Sequence, residues 1–209
     1  GHEITLTVSI GIAIATRTGD GRQVLKDAAL GARQAKGAGG DCQVFADPAL
    51  ALVAEHRVSL EADIRSGLRA SAFTPWFQPI MSFDTGELAG YEALARWVRP
   101  GGVIEPGGFM DIAEGCSLIL DLGLTILQQA VRALSQLPEH LFVSVNVTAA
   151  TLTRTPYPAL VATALAESGI VASRLRLEIT ETTLLARAES TAGIMREIAD
   201  LGVRGYVDD

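Results

Sequence analysis

Residues 174–185 read RLRLEITETTLL, and their pattern decides the fold. Leu175, Leu177 and Ile179 lie on one side of an alternation whose other side carries Arg176, Glu178 and Thr180. That period of two belongs to a strand with one face in a core. Glu181 follows directly. A helix-like stretch, RAESTAGIMREIADLG (187–202), and a strand-like one, VRGYVDD (203–209), come next. Strand, helix and strand in that order argue for a βα unit and a parallel sheet.

The same unit recurs on the amino-terminal side. HLFVSVNVTA (140–149) is strand-like and PYPALVATALAESG (156–169) helix-like, while residues 106–137 read as helix in at least two pieces. FTPWFQPIMSF (73–83) and LAGYEALARWV (88–98) flank the turn signal DTG, which predicts a hairpin. EITLTVSIGIAIAT (3–16) alternates as a strand, DGRQVLKDAALGARQAKGAGGD (20–41) reads as a helix stopped by glycines, and CQVF as a short strand. That β-α-β piece is too small to be a domain by itself. PALALVAEHRVSLEADIRSGLRAS (48–71) follows as a long helix with Pro48 in its first turn. The expected division is 1–47 as a β-α-β piece, 48–56 as a helical connector and 57–209 as the main domain.

Composition narrows the function. With 209 residues, 48% hydrophobic and 20% charged, the chain has ample material for a core. A net charge of −7 argues against a broad basic surface for DNA. No apolar run approaches the roughly 18 residues of a membrane span, and no signal-peptide pattern opens the chain. Two cysteines, Cys42 and Cys116, suit a reducing cytoplasm. His2, His56 and His140 are too scattered for a zinc motif.

Against this background the polar residues near strand ends stand out. Glu92 and Arg96 are in phase within GYEALARW, Asn146 in phase with Ser144 and Thr148, and VRGYVDD ends on Asp208 and Asp209. Read singly, each is a solvated or salt-bridged residue; Arg176 reads as structural, paired with an acid. Their recurrence at matching places on four strand segments carries the functional reading. In βα barrels the carboxyl ends of the strands converge on one mouth. Carboxylates gathered there repel one another unless a cation neutralises them. An all-oxygen donor set suits Mg²⁺ or Mn²⁺, and paired aspartates suit two ions of the kind that assist phosphodiester hydrolysis. Arg96 is placed to hold a phosphate oxygen.

FQPI, GYEALARW, PGGFMDIAE, VNVTA, LEITET and VRGYVDD occur in the order and spacing of the EAL domain, the cyclic di-GMP phosphodiesterase domain of bacterial signalling. The resemblance covers residues 57–209. LTVSIGIA and ALGARQAKGAGGD resemble the carboxyl-terminal remnant of a GGDEF domain. The resemblance implies an α/β fold, a TIM-like (β/α)8 barrel of EAL type with its amino-terminal part present here. It implies metal-dependent hydrolysis of cyclic di-GMP to linear pGpG, the alternative being a non-catalytic receptor. Glu92, Asn146, Glu178 and Asp208 match metal ligands, with Asp209 the second aspartate of a metal-bridging pair. Arg96 matches a phosphate contact, and Gln78 and Leu94 match substrate-binding positions. Glu181 matches the glutamate that anchors the loop after the aspartates.

The resemblance further implies a homodimer through the EAL domain, upstream GGDEF or sensor domains, and a cytoplasmic location. It departs from the family pattern in two places. Thr148 stands where serine is usual, and the GGDEF signature would lie upstream of Gly1. The family's later lysine and glutamate would follow Asp209, so a protein ending there is expected to be inactive.

Overall fold

A computed structural model describes residues 7–15, 20–46, 48–181 and 188–208, with the side chains of 48–52, 54–55, 188–189 and 208 left aside. The chain divides into two compact units, Gly1–Leu60 and Glu61–Asp209. In the first, β1 (Ile10–Ile12) pairs in parallel with β2 (Gln43–Phe45), and α1 (Gly21–Gly37) connects them. Asp20 caps α1 by accepting from the Arg22 amide. The helix lies so close to the sheet that a Cβ on Gly31 would sit 3.1 Å from the Gly11 Cα. The sequence placed a strand over 3–16; within the described residues the ladder is confined to Ile10–Ile12.

The long helix predicted from Pro48 forms as α2 (Pro48–Arg69), and the division between units falls within it. In the second unit β3 (Phe73–Met81) and β4 (Leu88–Arg99) form the predicted hairpin, in register from Phe73↔Trp97 to Ile80↔Gly90. Gly86 takes φ +69° in the connecting turn, where a side chain would be strained. The chain then doubles back as β5 (Gly102–Ile104), a short antiparallel strand the sequence pattern did not reveal.

The remaining strands are β6 (Phe142–Asn146), β7 (Leu175–Thr180) and β8 (Arg204–Asp208), and all are parallel to β4. Spatial order is β3-β4-β6-β7-β8, with β5 on β4. Sheet strands alternate with α3 (Met110–Gly115), α4 (Leu118–Leu134), α5 (Ala149–Arg154), α6 (Tyr157–Ser168) and α7 (Ala188–Asp200). This is the parallel run of a partial TIM-like barrel, with an antiparallel hairpin leading into it.

The core lies between one face of the sheet and the helices. Val143, Val145, Leu175, Leu177 and Ile179 are buried there, and α4 contributes Ile119, Leu122, Ile126, Leu127 and Leu134. Burying each such side chain stabilises by roughly 1.5–3 kcal/mol. A second cluster anchors the hairpin. Phe73 stacks on Trp97 with centroids 5.1 Å apart, and Phe109 meets both edge-on. Gly67 of α2 allows this, because a Cβ there would lie 2.8 Å from the Trp97 indole nitrogen. Among the described residues no helix is long and apolar enough to cross a membrane.

One side chain fastens α4 to the sheet. Arg174, just before β7, donates from Nε to the Leu141 carbonyl at 2.9 Å. Its Nη2 reaches the carbonyls of Leu134, Leu137 and Pro138 at 3.1, 2.9 and 2.9 Å. The Leu134 and Pro138 carbonyls also accept from the Leu137 and Leu141 amides, at 3.1 and 3.0 Å, so the guanidinium draws the end of α4 and the loop into β6 together. Arg174→Met, which keeps the stem and removes the donors, should therefore cost about 3 kcal/mol in urea unfolding, since charged donors contribute more than neutral ones. Arg174→Lys should recover only part, lacking the planar fork. A loss for Arg174→Met below about 0.5 kcal/mol, the level of an ordinary surface change, would show the clamp to be dispensable.

Candidate functional site

The parallel ladder between β4 and β6 is short: Gly90–Ala93 against Phe142–Val145. Beyond it β4 continues to Arg99, held by β3 and β5. Glu92 therefore lies one residue from the end of the parallel ladder but in the middle of its strand. This corrects the expectation that every candidate acid ends a strand, and the long hairpin arm is the reason. Asn146 is the last residue of β6, and Glu178 precedes the end of β7 by two.

Register decides which side chains meet. Glu92 pairs with Ser144, Asn146 with Glu178, Glu178 with Tyr206, and Thr180 with Asp208. Counting by twos from these pairs puts Glu92, Asn146, Glu178 and the Asp208 position on one face, opposite the helix-packed core. Their positions slip by two residues from β4 to β6, by none from β6 to β7, and by two from β7 to β8. Four residues of slip is about 13 Å along the strands, across three inter-strand spacings totalling about 14 Å. Strands tilted by about 40°, as in closed barrels, turn that staircase into one layer perpendicular to the barrel axis.

The first step of the staircase is joined directly. Asn146 Nδ2 donates to Glu92 Oε1 at 2.8 Å. Glu178 is half-buried beside them, in register with Asn146. All three offer oxygen donors. Among the described residues no three His, Cys, Asp or Glu side chains gather into a metal-binding group. Glu92, Glu178 and the Asn146 amide oxygen, a hard donor set, suit Mg²⁺ or Mn²⁺ rather than a softer metal. Of the other predicted ligands, Asp208 is placed by its backbone pairing with Thr180, and its side chain lies outside the described set. Asp209 lies outside the described residues altogether. Glu181 is exposed immediately after β7.

The substrate-side candidates continue along β4. Gln78 stands directly across from Glu92 on β3, and Leu94 and Arg96 follow on the same face. Arg96 is half-buried, bonds the Ala95 carbonyl at 3.0 Å, and lies 5.7 Å from the Trp76 ring centroid. Trp76, 52% exposed and opposite Leu94, adds a flat aromatic wall that sequence reading did not single out. The signal was available, since Trp76 alternates in phase with Gln78.

A cavity of about 690 Å³ opens beside this face, with Leu94, Asn146, Glu178 and Thr180 on one side. Ile119, Leu122 and Tyr157 make its walls largely apolar, and Glu114 adds a carboxylate. Burial pushes the Tyr157 phenol well above the ordinary tyrosine range, so it stays neutral. The size and apolar lining suit a flat organic ring system whose charged part rests on the polar strand tips.

Residues 61–209 match the family model of the EAL domain. Over its whole length the chain is 31% identical to the cyclic di-GMP phosphodiesterase NbdA of Pseudomonas aeruginosa, and it spans 28% of that protein. The PaMucR phosphodiesterase in complex with cyclic di-GMP superposes with a TM-score of 0.69 at 29% identity, covering 72% of this chain and 63% of that one. The EAL enzyme Bd1971, with cAMP and cyclic di-GMP bound, shares the fold with a TM-score of 0.71 at 23% identity, covering 92% of this chain and 52% of that one. The chain thus spans less than two thirds of each of these relatives.

The position of Glu92 depends on a glycine two residues earlier. A Cβ on Gly90 would lie 2.5 Å from the Phe142 carbonyl oxygen and 2.7 Å from its ring. Gly90→Ala should cost about 2–3 kcal/mol in urea unfolding, the range of an overpacked core. The nearby Ala89→Gly, which changes only backbone freedom, should cost about 0.5–1 kcal/mol. Equal effects of the two would remove the steric account.

Proposed function

The chain belongs to the EAL domain family, and on that premise we propose that its protein hydrolyses cyclic di-GMP to linear pGpG with Mg²⁺ or Mn²⁺. The observation that carries the reading is the meeting of Glu92, Asn146 and Glu178 on one sheet face beside the cavity. The names of NbdA and the PaMucR complex support it.

In this reading Glu92, Asn146, Glu178, Asp208 and Asp209 hold two cations. Bound there, the cations supply Lewis-acid polarisation of the phosphodiester and a lowered pKa for the attacking water. The Asn146 amide keeps Glu92 turned toward the site. Arg96 receives a phosphate oxygen through its planar donors, and Gln78 and Leu94 border the same phosphate-sugar region. The apolar cavity takes a guanine base. Glu181 would fasten the loop that follows the aspartate pair.

The same proposal makes residues 1–47 the end of a GGDEF-like domain, 48–56 the helical linker and 57–209 the EAL domain. The protein would act in the cytoplasm as a homodimer through the EAL domain, behind upstream GGDEF or sensor domains.

Turnover of cyclic di-GMP, measured with Mg²⁺ or Mn²⁺ and with EDTA, tests the reading. It is best run on this chain and on a version extended through the groups the resemblance places after Asp209. Activity should require metal. Glu92→Gln should lower kcat by about 10³-fold, a loss of roughly 4 kcal/mol of transition-state stabilisation, while nucleotide binding persists. Arg96→Ala should weaken binding by about tenfold or more at an unchanged melting temperature. Tight binding with no turnover in the extended protein would favour the receptor reading, and metal-independent turnover would overturn the ligand assignment.

A further inference from the structure

One pleat step below Asn146 and Glu178, the same sheet face carries an arrangement that requires explanation. Ser144, Arg176 and Arg204 are cross-strand partners on β6, β7 and β8, so two arginines stand directly opposite each other. Like charges in that relation destabilise a sheet. Arg176 is nonetheless half-buried rather than extended into water. Its guanidinium lies 3.2 Å from the Phe142 ring centroid and 5.1 Å from that of Tyr206. Its Nε has no acceptor among the described residues, and neither has the fully buried Ser144 hydroxyl. A hydrogen-bonded clamp like that of Arg174 is therefore absent at this nitrogen. What holds the cation is aromatic faces, and Glu178 follows it by two residues on the same face, about 7 Å along the strand.

We propose that Arg176 is a positioning residue: a permanent cation, caged between Phe142 and Tyr206, that offsets the mutual repulsion of the carboxylates in the layer above it before any metal arrives. The proposal rests on the reading of Glu92, Asn146 and Glu178 as metal ligands. An acid cluster built to receive cations is least stable when empty, because each carboxylate raises the energy of its neighbours. A fixed positive charge beneath it lowers that energy. The same charge repels an incoming cation, so it weakens metal affinity somewhat while keeping the empty site folded. Arginine suits the task because it stacks on aromatic faces and does not lose its proton in proteins. Burial pushes the guanidinium below its ordinary range and Arg204 pushes the same way, with Tyr206 and Glu178 opposing.

The test is thermal unfolding of the chain without metal and with saturating Mn²⁺, for the wild type, Arg176→Met and Arg176→Lys. Arg176→Met keeps the apolar stem and removes the charge. It should lower the metal-free melting temperature by about 3 °C or more, the size of a 1 kcal/mol effect in a chain of this length. The Mn²⁺-loaded value should fall by clearly less, so the Mn²⁺-induced shift grows. Arg176→Lys should restore the wild-type shift. A side chain that merely fills space would lower both states equally, and that result would overturn the proposal.

A second arm does not depend on metal. In a Glu178→Gln background the cost of Arg176→Met should shrink, because the charge it offsets is reduced, whereas independent sites add. Additivity there would count against the proposal even if the metal-induced shift changed. If the wild type shows no Mn²⁺ shift but the two substitutions remain coupled, the ligand reading fails and the charge-offset role stands.

Discussion

The structure depends on a ladder of four residues. Gly90–Ala93 pair in parallel with Phe142–Val145, and this is where an antiparallel hairpin hands over to a parallel sheet. The hand-over is close: the Gly90 backbone approaches Phe142 so nearly that no side chain fits between them. If the ladder slipped by one residue, Glu92 would turn to the helix-packed face and an apolar neighbour would take its place. Because β6, β7 and β8 are registered on β4 in succession, every later polar position inherits the alignment set here.

The two faces of the sheet meet different demands. The helix side is filled by Val143, Val145, Leu175, Leu177 and Ile179, with α4 laid over them and its carboxyl end tied by Arg174. The opposite face carries charge in two layers. Acids and an amide occupy the layer toward the strands' carboxyl ends, and Arg176, set against the Phe142 and Tyr206 rings, lies in the layer beneath. The rigid apolar side keeps the charged side in place, since neither layer would hold its geometry on a loosely packed support. The cavity beside Asn146 and Glu178 then lies where a ligand can reach both an apolar wall and the polar tips.

Two arginines close in sequence illustrate how context assigns a role. Arg174 spends its guanidinium on backbone carbonyls of the α4–β6 connection. Arg176, two positions on, stacks on Phe142 and Tyr206. Sequence reading treated Arg176 as structural, paired with an acid, and gave Arg174 no role. Alternation identifies which face a strand residue occupies, but the distances to carbonyls and rings come from elements many positions away.

The sequence by itself determined the order of elements, the parallel character of the main sheet, the hairpin around DTG and the polar face that carries Glu92, Asn146 and Glu178. Those features follow from local rules: period-two alternation, turn residues, and the alternation of strand-like with helix-like runs. Family likeness was equally legible, because six short motifs keep their order and spacing. Only the tertiary structure decided that Glu92 sits mid-strand, that β5 folds back on β4, and that Asn146 reaches Glu92 across a two-residue slip. It also placed Trp76 beside Arg96 and built the cavity from α4 and α6 residues distant in the chain. The physical reason is that periodicity records which way a side chain points. Which side chain it then meets depends on register and strand tilt, and those are set by hydrogen bonds between strands that no local pattern encodes.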